Sequence, residues 1–142
     1  MTDETILNER LASALKIAVE QNFRIIESLA LDETMSPKLL LFNDGQVQKT
    51  ISFTVLTNEV DENSERIKFA RKQTPSRTRE YEFYVLSYCT SSNAEKTLEL
   101  IIEAGEQGIP IDYSFAHPFK RDSEGKVIRL SDKPILRALV RT

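Results

Sequence analysis

The sequence predicts an α+β domain, with a mixed, mostly antiparallel sheet of about five strands, a long N-terminal helix, and a second helix at 93–106 held in a βαβ unit. Three observations predict it. Apolar side chains recur at three- and four-residue spacing near the N-terminus, short alternating or continuous apolar runs follow, and turn-forming residues separate those runs. The 142 residues hold only four glycines and five prolines, with no linker and no repeat, so 1–142 reads as a single globular domain.

Each element has its own reason. From about residue 4 to residue 30, Leu7, Leu11, Ala14, Leu15, Ala18, Val19, Ile25, Ile26 and Leu29 form the stripe of one helical face. Asp3 is placed to cap it, and Gln21 and Asn22 interrupt the stripe, where the helix bends or ends and resumes at Phe23. Leu39 to Phe42 is a continuous apolar run that stops at Asn43-Asp44-Gly45, a hairpin signal. Ile51, Phe53 and Val55 then alternate with Thr50, Ser52 and Thr54, the pattern of a half-exposed strand.

After an acidic stretch at 58–65, residues 66–73 fit a short helix that Thr74-Pro75-Ser76 breaks. Between Tyr81 and Tyr88 both alternating faces are apolar, which predicts a central strand covered on both sides. Asn93 is a good N-cap, and Leu98, Ile101, Ile102 and Gly105 fit the inner face of a helix ending before Gly108. Ile111 to Phe115 returns as a strand, and Asp122-Ser123-Glu124-Gly125 turns into an antiparallel neighbour at 126–130. Residues 132–140 fit either a short final helix or an edge strand.

Composition excludes several function classes. Apolar residues at 40% and charged residues at 29% supply a core and a solvated shell, unlike a disordered chain. The first residues lack the pattern of a secretory signal, and no stretch approaches the ~18 apolar residues of a membrane helix, so a cytoplasmic location without membrane contact is expected. One cysteine and one histidine cannot make a zinc site or an internal disulfide, and no motif calls for a metal or a cofactor. The acidic run Glu59, Asp61, Glu62 and Glu65 is better read as solvated loop than as a Mg²⁺ site. Net charge is −3, but residues 1–65 carry −7 and residues 66–142 carry +4.

Two constellations carry chemistry. If 81–89 and 111–116 are parallel neighbours, Cys89 and His117 share the carboxyl edge of the sheet, as nucleophile and base. Thr90, Ser91, Ser92 and Asn93 would then hold an anion at the N-terminus of the helix that follows. The ordinary alternative is a buried thiol and a packed imidazole, and the loop lacks the glycine that phosphate-cradling loops need. The second constellation is basic: Arg66, Lys68, Arg71, Lys72, Arg77 and Arg79 surround Phe69 with no acidic residue between them, a pattern that fits phosphate neutralisation and base stacking on a nucleic acid. A sequence pI near 5.3 and the flanking acidic residues weigh against that reading.

The residues favour a non-catalytic binding or adaptor module that contacts a protein partner, because catalytic ingredients are sparse. A small enzyme using Cys89, His117 and the 89–93 loop is the first alternative, and a nucleic-acid-associated protein using 66–79 is the second. The N-terminal helix stripe is also long enough to pair with a second copy, giving a homodimer.

Overall fold

The computed structural model describes residues 9–29, 35–53, 67, 70, 72, 80–92, 97–107, 111–131 and 134–141. Among them the chain forms α1 (Glu9–Ser28), β1 (Lys38–Asn43), β2 (Gln46–Ser52), β3 (Phe83–Ser92), β4 (Thr97–Glu106), β5 (Ile111–Arg121), β6 (Val127–Arg129) and β7 (Ile135–Arg141). The strands make one seven-stranded sheet in the order β2-β1-β3-β4-β5-β6, with β7 also paired to β5. β5 is long enough to serve both: Ile111 to Ala116 pair with β7, and Phe119 to Arg121 pair with β6.

Local chemistry accounts for the first elements. α1 runs unbroken through the polar pair expected to interrupt it. The buried Asn22 amide donates to Ala18 O at 2.7 Å and to Ser87 Oγ at 2.9 Å, so a polar side chain sits inside the stripe without ending the helix. At the β1–β2 hairpin, Asp44 (φ 54°) and Gly45 (φ 75°) both take the left-handed conformation of a tight two-residue turn. Ile51 and Phe53 turn inward while Thr50 and Ser52 are exposed, as their alternation predicts.

The predicted sheet is overturned in four respects. The helix at 93–106 does not exist: 97–106 is β4, paired with β3 from Phe83↔Glu106 to Ser92↔Thr97. Every strand pairing among the described residues is antiparallel, so they form no mixed sheet and no βαβ unit. β3 and β5 are not neighbours, because β4 lies between them. The sheet has seven strands rather than about five; of the two readings open for the C-terminal segment, the structure takes the strand, β7.

The physical reason lies in the run Leu98–Ile102. Its apolar residues satisfy a helical spacing (98, 101, 102, 105) and equally a strand alternation (98, 100, 102, 104). Covering both faces of the sheet selects the second. Leu100, Ile102 and Ala104 pack under α1, while Ile101 packs on the opposite face. Four residues separate β3 from β4 in the sequence, too few for a parallel return, which needs a crossover of about a dozen.

The core has two layers of side chains, one on each face of the sheet. On one face Leu11, Ala14, Ala18, Phe23 and Ile26 of α1 pack on Phe42, Phe83, Val85, Leu100 and Phe115. Ala14 and Ala18, fully buried, let the helix approach closely. On the other face Leu39, Leu41, Leu86, Tyr88 and Ile101 pack with Phe53 and Ala70. Ile67, Ala70 and Lys72 have helical backbone. Among the described residues no helix is long and apolar enough to cross a membrane.

Candidate functional site

α1 lies across the sheet, held by its buried apolar face, and two arginines from the β5–β6 hairpin reach it. Arg121 of β5 donates through Nη2 to Leu29 O at 2.5 Å, one of the carbonyls left over at the helix end. Arg129 of β6 donates to both carboxylate oxygens of Glu20, Nη1–Oε1 at 3.2 Å and Nη2–Oε2 at 2.6 Å. Its guanidinium also lies 4.2 Å from the centroid of the Phe23 ring.

Between helix and sheet at this flank lies a cavity of about 430 Å³, lined by Ala12, Leu15, Lys16, Val19, Glu20 and Phe23 of α1, Ile102 of β4, Phe115, His117 and Pro118 of β5, and Arg129, Ser131 and Pro134. That volume falls in the range of small-molecule sites. Its floor is apolar because α1 and the sheet present their core faces here. Its mouth is polar, with the Glu20–Arg129 pair, Lys16 and His117.

Phe23 organises the interior. It meets Phe119 edge-on at 5.5 Å between centroids and His117 edge-on at 6.5 Å. Burial, with the Arg129 charge beside it, holds the His117 pKa below its ordinary value, so the imidazole is neutral at pH 7. The hydrogen bond from Arg129 holds Glu20 below the usual glutamate range, so the carboxylate is ionised.

His117 therefore belongs to this cavity, but Cys89 does not line it. Cys89 pairs with Leu100, and Leu100 pairs with His117, placing the two in one cross-strand row with Leu100 between them. Two strand spacings separate them by about 9.5 Å, beyond hydrogen-bond reach. Burial pushes the Cys89 thiol up to about 12. The parallel-neighbour geometry that would have joined thiol and imidazole in a common cleft is absent.

The other sequence-derived positions fall elsewhere. Thr90, Ser91 and Ser92 end β3, and Asn93 lies outside the described residues. The helix whose dipole was to hold an anion there is replaced by β4. Of the basic run, Arg66, Lys68, Phe69, Arg71, Arg77 and Arg79 lie outside the described residues, and Lys72 is helical and exposed. The stripe of α1 is buried on the chain's own sheet. Among the described residues Ile17 is the one exposed large apolar side chain that α1 offers to a second copy.

Sequence reasoning missed Glu20, Phe23, Phe115 and Arg129 as site residues. Phe23 lay beside the α1 stripe and carried a core signal only. Glu20 and Arg129 are 109 residues apart, and no local pattern links them. Compared with known protein families, curated proteins and solved structures, the chain matches none.

Proposed function

We propose that this protein is a non-catalytic binding module whose site is the cavity between α1 and β5. One observation carries the reading: an apolar volume of about 430 Å³, walled by both layers of the fold and ringed by a few polar groups. Cys89 lies outside the cavity lining, so no thiol–imidazole pair forms at its mouth. His117 meets the Phe23 ring edge-on, and the Glu20–Arg129 pair at the mouth is a helix-to-strand clasp.

Binding of the neutral fluorophore N-phenyl-1-naphthylamine tests it. The probe should bind saturably at one site per chain with a blue-shifted emission. Ala12→Trp, which puts an indole into the cavity from its rim, should weaken binding by about tenfold or more. Ser13→Trp, on an exposed α1 position outside the cavity lining, should not. Equal effects of the two substitutions, or no saturable binding, would overturn the proposal.

A separate observation favours a protein partner. Of the five exposed large apolar side chains among the described residues, four lie on β6 and β7 or directly after β6: Ile128, Leu130, Ile135 and Leu136. From Lys120 to Arg141 the chain holds seven Lys and Arg against three Asp and Glu, a net of +4. The fitting partner is an extended acidic segment with interspersed apolar residues laid along the β6 and β7 edge of the sheet, where these side chains alternate between its two faces. A photo-crosslinking residue at position 136 should give a discrete adduct on an acidic segment, absent when the same group replaces the exposed Lys49 on the far edge strand β2. Equal labelling at both positions would refute this contact.

A further inference from the structure

The chemistry of the cavity mouth selects among apolar guests. Resting on the cavity reading above, we propose that the guest is an amphipathic monocarboxylate, whose tail enters between α1 and β5 and whose carboxylate replaces that of Glu20 on Arg129.

Three features lead to it. First, Arg129 is held from two directions. Its guanidinium stacks 4.2 Å from the Phe23 centroid and is bonded by Glu20 at the edge. Removing the carboxylate leaves the stack in place, so the planar donor fork stays aimed at the cavity mouth. Second, the Glu20–Arg129 pair is easily exchanged. Both side chains are 44% exposed, and an ion pair in that setting is screened by water and contributes little. Glu20 sits on a helix rim and can turn to solvent, whereas a guest carboxylate anchored by a buried tail cannot diffuse away. Third, Lys16, one helical turn before Glu20, also lines the cavity, so once Glu20 is displaced the mouth presents two cations to one guest anion.

Head-group shape and charge follow from the same groups. A guanidinium matches a planar carboxylate through two parallel N–H bonds. A phosphate dianion would bring a second charge toward Glu20, still nearby and ionised, with only Lys16 to offset it. The neutral imidazole of His117 adds a polar edge without adding charge. Leu15, Val19, Phe23, Ile102 and Phe115 form an apolar wall without hydrogen-bonding side chains, so the part of the tail that meets them is alkyl or aryl.

Displacement of N-phenyl-1-naphthylamine by decanoate, 1-decanol and decyl phosphate tests the inference. Decanoate should displace the probe at about tenfold lower concentration than decanol, and decyl phosphate should do no better than decanoate. Arg129→Gln should bring decanoate and decanol to the same affinity. Glu20→Gln should tighten decanoate several-fold, because it removes the competing carboxylate. A merely structural clasp would instead give weaker binding in that variant. If decanol matches decanoate in the wild-type protein, or if Glu20→Gln weakens decanoate, the carboxylate inference fails while the cavity reading stands. If the fluorophore itself finds no saturable site, both fail.

Discussion

Alanine at position 105 would put a methyl group where the structure has no room for one. A Cβ built on Gly105 of β4 overlaps Asp112 Oδ1 and Tyr84 Cε1 and falls 3.0 Å from Tyr84 Cζ. Those neighbours belong to one unit: the Tyr84 hydroxyl donates to Asp112 Oδ1 at 2.7 Å, so the ring lies across the glycine to reach its partner on β5. Both groups would have to shift together. Forcing a methyl into packed space costs about 1–3 kcal/mol. Losing a hydrogen bond to a charged group costs a further 1.5–3 kcal/mol or so. The better backbone entropy of alanine returns about 0.5–1 kcal/mol. The net expectation for Gly105→Ala is a loss of about 2–5 kcal/mol, read as a lower urea midpoint at unchanged slope. In a Tyr84→Ala background the ring is gone and Asp112, released from the Tyr84 hydroxyl, can turn away from the new methyl, so the same substitution should cost less than about 1 kcal/mol, a large non-additivity. A loss below about 0.5 kcal/mol in the wild-type background, or additive effects, would show that the ring does not occupy this position.

Two further predictions concern the titratable groups. The chain has one histidine, so its imidazole resonances read His117 directly; the midpoint should lie below the ordinary ~6.5, and a value at or above that would contradict its burial against Phe23. Because the folded form favours the neutral ring, stability should be full above about pH 6.5 and fall as pH drops toward the folded-state midpoint, a slope that His117→Gln should remove from urea midpoints measured at about pH 7.5 and 5. Burial pushes the Cys89 thiol up to about 12, so alkylation by iodoacetamide at about pH 8 should be more than about tenfold slower than for a free thiol and should track unfolding in urea. Rapid reaction of the folded protein would mean that the β3 end is open.

The elements legible in the sequence are those whose signals are local. Asn43-Asp44-Gly45 announces its turn because left-handed backbone favours those residues. The α1 stripe announces its helix because only one face is buried. β3 was legible as a doubly covered strand, since Phe83, Val85, Leu86 and Tyr88 leave neither side polar. β4 was not, because a short, nearly continuous apolar run carries both periods, and the error propagated into a βαβ unit and a shared edge for Cys89 and His117. Of the candidate site only His117 could be singled out beforehand, as the sole histidine.

By itself the sequence determined a chain able to bury a core, the amphipathic N-terminal helix, the β1–β2 hairpin, and the turn before β6. Those features depend on neighbours a few residues away, where backbone preference and side-chain period act directly. Only the tertiary structure decided the antiparallel order of the strands, the separation of thiol from imidazole, and the cavity under Arg129. Each depends on which surfaces meet across the helix and the sheet. Glu20 and Phe23 acquire a common role with Arg129 only when β6 is brought alongside α1.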